Sequence, residues 1–198
     1  MNLGSYPIQI SLTNGTQVSI RPMELKDGPG VLEFFRKLPA GDRLFLRDDV
    51  TTPEWLDRFC HQIDYNTMIP LVAEHGGKIV GNATLSRTLY GWSTHVGELR
   101  IAVARRLQRK GLGTALAREL VKLAQDTGLE KMVAAVVDNQ MGAKRAFQNL
   151  GFRPEAILKG HVKDIHKVKR NLVIMTNEVS HIWAAMESLL QDYLPSRH

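Results

Sequence analysis

The chain has one cysteine, Cys60, among its 198 residues, so no internal disulfide can form. That excludes a disulfide-stapled scaffold and favours a reducing compartment. Buried filler suits Cys60 better than a nucleophile, because its only support is an adjacent His61. No apolar run approaches eighteen residues, so no membrane-spanning helix is expected. The N-terminal MNLGSYPIQISLT lacks a basic region followed by a long apolar stretch, so no secretory signal is visible. Repeats, low-complexity segments and linkers are also missing. The expectations are one domain over residues 1–178, a C-terminal helical extension over 179–198, a cytoplasmic location, no metal and no membrane partner.

What is present is a core-forming composition, 43% apolar, with a formal net charge of +6. Such a balance suits anionic ligands in general. The cations gather twice: Arg105, Arg106, Arg109 and Lys110, then Lys159, Lys163, Lys167, Lys169 and Arg170. The second group reads as a solvated hairpin.

The stretch from Glu98 to Thr127 organises the rest. Leu99 to Val103 alternates like a strand, and Leu112, Leu116, Leu120, Leu123 and Ala124 recur at helical spacing. Between them lies Gln108-Arg109-Lys110-Gly111-Leu112-Gly113-Thr114. Glycines at a helix start let backbone N–H groups approach a ligand closely. Together with the positive end of the helix dipole, those amides hold an anion. Arg109 and Lys110 add full charge at the same spot, which makes a phosphate cradle. A nucleotide-hydrolysing P-loop would need Gly-Lys-[Ser/Thr], but Gly113 precedes Thr114. A dinucleotide fingerprint would need a third glycine where Leu116 stands.

The segment resembles motif A of the GNAT acyltransferase superfamily, in which a strand, [QR]-x-x-G-x-[GA] and a helix follow one another. Gln108, Gly111 and Gly113 hold those places, five, eight and ten residues after Val103. The likeness continues through an apolar run from Lys131 to Val137 and a helix from Gly142 to Leu150. Family members commonly show N-x-x-A-x-x-x-Y-x-x-x-G-F here; this chain has Gln140, Ala143, Phe147, Gly151 and Phe152, with Asn139 one place early. The resemblance implies an α/β fold: a mixed, mostly antiparallel sheet, a central parallel strand pair splayed for acetyl-CoA, and helices on both faces. A loose likeness to bacterial protein-lysine acetyltransferases extends to the N-terminal layout.

The remaining elements fit that plan. Ile8 to Ile20 alternates around Asn14-Gly15, a tight-hairpin signal whose second arm ends at Pro22. Asp27 and Pro29 open a helix carrying Val31, Leu32, Phe34, Phe35 and Leu38, which Pro39-Ala40-Gly41-Asp42 breaks. Thr52 caps a second helix with Trp55, Leu56, Phe59 and Ile63 inward. By resemblance these helices wall the acceptor site, with Arg43, Arg47, Asp48 and Asp49 in the loop between them. Ile69–Glu74 and Lys78–Arg87 form a hairpin through His75-Gly76-Gly77, and Glu155–His161 and Asn171–Asn177 are antiparallel strands. From Ser180 a helix carries Ile182, Trp183, Met186, Leu189, Leu190 and Tyr193 in one stripe, to be buried on its own domain or in a homodimer.

The resemblance implies an N-acetyltransferase that takes acetyl-CoA and an amine acceptor. Only about one lysine amine in a few thousand is neutral at pH 7, so a base near the acceptor helps. Glu98, entering the central strand from the loop, is the candidate; a pair with Arg100 on the same strand face is the alternative role. Backbone groups of Ile101, Ala102 and Val103 would bind the pantetheine arm, and residues 108–114 the pyrophosphate. An N–H near Val103 would polarise the thioester oxygen. Phe147 stands where the family usually has a tyrosine that protonates the leaving thiolate, so Tyr90, a serine or water must serve instead. The rival class is a non-catalytic acyl-CoA-sensing or nucleic-acid-binding module, supported by Phe147 and the basic run 159–170; nucleic acid is the less expected partner. The acceptor, whether protein lysine or a small amine, is not legible.

Overall fold

The computed structural model describes residues 3–43, 46, 49–61 and 63–181. Eight strands form one sheet in the order β1-β2-β3-β4-β5-β6-β8-β7. The N-terminal hairpin pairs β1 (Ile8–Ser11) with β2 (Gln17–Pro22) around Asn14-Gly15, where Gly15 takes a positive φ of 80°. Positive φ costs a residue without Cβ little, which is why the turn sits there. β3 (Met68–His75) and β4 (Lys78–Arg87) turn through Gly76-Gly77, with a bulge at Ala73/Glu74. β5 (Val96–Val103) pairs antiparallel with β4 and parallel with β6 (Lys131–Val137). β7 (Arg153–Lys163) and β8 (Lys169–Glu178) close the sheet; both run longer than their apolar alternation suggests, because flanking lysines continue the ladder.

Helices cover the sheet unevenly. On one face α4 (Leu112–Asp126) and α5 (Met141–Asn149) bury Leu112, Leu116, Leu120, Leu123, Phe147 and Phe152 against Leu85, Leu99, Met132 and Met175. On the other, α1 (Gly28–Lys37) and α3 (Pro53–His61) build an aromatic cluster over β2, β3 and β4. There Trp55 meets Phe35 edge-on at 5.3 Å and stacks on Phe59 at 4.9 Å, arrangements that favour the ring quadrupoles. Among the described residues no helix is long and apolar enough to cross a membrane.

The break after α1 stands where expected, with α1 ending at Lys37 and Leu38 extended. Residues Ala40–Arg43 add a one-turn helix, α2, after it, because the N–H groups of Asp42 and Arg43 both reach the Pro39 carbonyl. Two local expectations are corrected. Asp27 occupies the N-cap position of α1 without capping it. Its carboxylate instead accepts from Arg21 at 2.6 and 2.7 Å and from the Glu24 N–H at 2.8 Å. Burial alone would raise the Asp27 carboxyl, yet the Arg21 guanidinium and the Glu24 amide hold it below its usual range. Glu98 is the third residue of β5, in regular register with Ser86, rather than lying at the strand's entry. Thr52 caps α3 as expected, accepting from the Trp55 N–H at 3.1 Å. The stripe from Ile182 to Tyr193, and Arg47 and Asp48 of the acceptor loop, lie outside the described residues.

Candidate functional site

The site begins where the sheet lets go. β5 and β6 share only three register pairs, Val96↔Lys131, Gly97↔Met132 and Glu98↔Val133. Beyond Glu98, β5 stays on β4 as far as Gly81↔Val103, while β6 stays on β8 as far as Val137↔Leu172. The two parallel strands therefore part over Leu99–Val103, leaving a wedge with a strand edge on each side. An unpaired edge is a row of donors and acceptors able to take an extended ligand as a false strand. Ile101, Ala102 and Val103 are all half-buried along it. The Val103 carbonyl accepts from the Gln108 side-chain amide at 3.2 Å, so Gln108 folds back to brace the strand end.

At the mouth of the wedge lies the glycine loop. Buried Leu107 plugs a single 3-10 turn, Arg105–Leu107, into the core. The backbone then passes through Arg109 at φ 58° and Gly111 at φ 91°, the N-cap of α4. For arginine that left-handed conformation costs about 1–2 kcal/mol. The first bond of α4 from this loop joins the Ala115 N–H to the Gly111 carbonyl at 2.9 Å. The N–H groups of Leu112, Gly113 and Thr114 precede it and have no acceptor among the described residues. A Cβ on Gly113 would meet only Val103 Cγ2, at 3.8 Å, so the approach to these amides is open. The Thr13 N–H bonds the Lys110 carbonyl at 3.2 Å and pins the loop to the N-terminal hairpin. Free amides, a helix dipole and flanking Arg109 and Lys110 together fit a pyrophosphate.

Glu98 stands at the closed end of the wedge. It lines a cleft of about 340 Å³ with Ser86, Arg87, Thr88, Ser93, Val96, Val133, Ala135 and Ile174. Strand parity puts Glu98, Arg100 and Ala102 on the α1/α3 face, since Ala102 packs against the aromatic cluster. No described helix covers the cleft: Ala135 is exposed, and Val133 and Ile174 are half-buried. Glu98 Oε1 accepts from Arg100 Nη2 at 3.2 Å and Nε at 3.3 Å, with the two side chains 29% and 43% exposed. The ion pair and the position beside the wedge thus coexist. Arg87 braces the cleft's floor, donating to the Asn66 carbonyl at 2.6 Å and the Thr127 carbonyl at 2.9 Å.

The other expected residues are dispersed. Phe147 is buried beside Phe152, ring centroids 5.3 Å apart, so an apolar ring fills the tyrosine's usual place. Tyr90 is 86% exposed on the loop after β4 and does not line the cleft. Asn139 is exposed and Ala143 half-buried. Gln140 turns inward, its Oε1 accepting from the Val137 N–H at 3.1 Å at the end of β6. Sequence reading missed Asp138, directly after β6. One of its carboxylate oxygens accepts from the Asn171 N–H at 3.3 Å, whereas Oδ1 is buried without a partner among the described residues. Only its place at a strand end beside a helix start could have signalled it. Cys60 is half-buried at the α1–α3 contact, and burial, with Asp57 adding to it, raises its thiol; this fits filler rather than a nucleophile.

Comparison with known proteins agrees with this geometry. A family model described as the Acetyltransferase (GNAT) family matches residues 33–152. The chain is similar to the acetyltransferase of GNAT family from Streptococcus pneumoniae: TM-score 0.72, 23% identity, 81% of this chain and 99% of that one. It is similar to the GNAT domain of S. lividans PAT, with TM-score 0.72, 17% identity and coverage of 88% and 99%. It is also similar to yncA from Salmonella typhimurium, solved with its cofactor acetyl-CoA: TM-score 0.70, 20% identity, coverage 82% and 94%. Among curated proteins none matches.

Proposed function

Because the chain belongs to the GNAT acetyltransferase family, we propose that it moves an acetyl group from acetyl-CoA directly to a primary amine, with Glu98 as general base. The observation that carries this reading is the parting of β5 and β6 at Glu98, with unpartnered amides of Leu112, Gly113 and Thr114 at the wedge's other end.

In this reading the pyrophosphate rests on those amides, flanked by Arg109 and Lys110. The pantetheine arm lies along Ile101, Ala102 and Val103, and the buried Asp138 Oδ1 accepts from one of its amide N–H groups. Acetyl-CoA supplies the activated acyl group. A backbone N–H of β5 stabilises the oxyanion as the amine nitrogen adds to the thioester carbon. Glu98 takes the ammonium proton directly or through water; when the C–S bond breaks, the electron pair leaves on sulfur. Phe147 has no proton to give and Tyr90 lies off the cleft, so the thiolate takes its proton from a cleft serine, Ser86 or Ser93, or from water entering the open cleft. The incoming ammonium takes the place of the Arg100 guanidinium at Glu98 Oε1.

Calorimetry of acetyl-CoA against free CoA tests the cofactor half, with Gly111→Asp as control. Micromolar binding that the aspartate abolishes is expected; no wild-type binding would remove the assignment. An amine panel that includes lysine peptides, read by CoA release, tests the transfer half. A second reading, a module that binds acyl-CoA without turning it over, is favoured by one observation: the buried phenyl ring of Phe147. Tight binding with no release from any amine would select it.

A further inference from the structure

Apart from Ile174, which lines the cleft, the β7–β8 hairpin takes no part in this chemistry, yet its far end carries an unusual surface. Residues 153–170 contain six Lys or Arg and two carboxylates. Both carboxylates are engaged, Glu155 with Lys131 and Asp164 with Arg170. That leaves Arg153, Lys159, Lys163, Lys167 and Lys169 without an ion-pair partner among the described residues. Lys163 and Lys169 sit directly opposite each other in the register, a like-charge pairing that destabilises a hairpin. Four large aliphatic residues are also exposed here: Ile157, Leu158, Ile165 (50%) and Val168 (47%). Ile165 and Val168 bracket the turn at its tip. β7 is exposed along nearly its whole length and packs chiefly on β8.

The tip is held in shape without help from a partner. Asp164 accepts from the N–H groups of His166 at 2.9 Å and Val168 at 3.0 Å and from Arg170 Nε at 2.9 Å, and Lys167 takes a positive φ of 63°. An apolar pair at a rigid convex end, collared by unneutralised lysines, is complementary to an acidic bilayer interface. Nucleic acid fits less well, because residues 153–170 include no Phe, Tyr or Trp to stack on bases. A second copy fits less well again, since it would bring the same lysines face to face.

We propose that the β7–β8 tip docks this protein on anionic lipid, with Ile165 and Val168 entering the headgroup layer and Lys163, Lys167 and Lys169 meeting lipid phosphates. Such a contact needs no spanning helix, and it revises the expectation that membranes play no part.

Co-sedimentation of the full chain with vesicles tests it. Binding is expected to phosphatidylcholine mixed with an equal part of phosphatidylserine, not to phosphatidylcholine alone, and to weaken steeply with salt. Lys167→Ser should weaken partitioning about fivefold, and Lys163→Glu with Lys169→Glu by more than about twenty-five-fold. Ile165→Ser with Val168→Ser should weaken it at every salt concentration. All variants are expected to keep the wild-type melting temperature and acetyl-CoA affinity, because no substituted side chain touches the core or the loop. Equal partitioning to both vesicle types would overturn the proposal, as would charge variants that bind like the wild type. Displacement from acidic vesicles by short duplex DNA would reassign the patch to nucleic acid.

Discussion

The two sides of β5 differ sharply. Toward β4 it makes a ladder of seven register pairs from Gly97 to Val103; toward β6 it makes three, and then the strands separate. The β4 side lies in a half of the sheet that helices cover on both faces. Beyond the gap, β6, β8 and β7 leave Ala135 exposed and Val133 and Ile174 half-buried on the α1/α3 face. One half holds the molecule together, and the boundary with the other half is where a ligand can enter. Stability and chemistry are therefore expected to divide along β5.

The largest effect expected is on the open side. Glu98→Gln should lower kcat/KM for a competent amine about 10²-fold or more and flatten the acid limb of its pH profile. The denaturation midpoint should barely move; an unchanged profile would remove Glu98 as base. Next comes a paired test at two positions on one face of β5, one where the gap opens and one within it. Leu99→Ala, buried against α4, should cost about 2–5 kcal/mol in chemical denaturation, and Ile101→Ala, half-buried in the wedge, about 1 kcal/mol. Equal losses would erase the division between the two sides.

The covered half offers a third test in Arg21 and Asp27. A double-mutant cycle with Arg21→Met and Asp27→Asn should give a coupling of about 1–3 kcal/mol. Because the folded Asp27 carboxyl is held low, this stability is present above the ordinary carboxylate range and is lost as pH falls through the folded value. Asp27→Asn should flatten that acid loss in urea titrations. The smallest effect belongs to Gly111→Ala. Its φ of 91° should cost about 1–2 kcal/mol, seen as a melting temperature lower by a few degrees and, where the loop relaxes instead, as roughly tenfold weaker acetyl-CoA binding.

The covered half was also the legible half. Gly15, Gly76 and Gly77 all take positive φ, and each turn stands where Asn14-Gly15 and Gly76-Gly77 do. The helical spacing of Leu112, Leu116, Leu120 and Leu123 marks one continuous buried stripe. The glycine loop could be read because backbone conformation restricts residue choice there. The parting of β5 from β6 could not: Leu99–Val103 and Lys131–Val137 alternate like any paired strands, and periodicity does not reveal which edge is empty. Resemblance alone supplied it. The pairing of Glu98 with Arg100 followed from parity, whereas the place of Tyr90 did not, since loop direction leaves no periodic trace. Asp138 and three of the residues that share the cleft with Glu98, Val133, Ala135 and Ile174, are distant from it in sequence.

The bond from the Thr13 amide to the Lys110 carbonyl joins residues almost a hundred positions apart. The loop proposed to hold phosphate is thus a product of assembly, its backbone tied to the chain's first turn. Crowding the turn at Thr13 should then be felt as loosened acetyl-CoA, whereas cutting away the first sixteen residues should cost stability as well, because it removes β1 and buried Leu12.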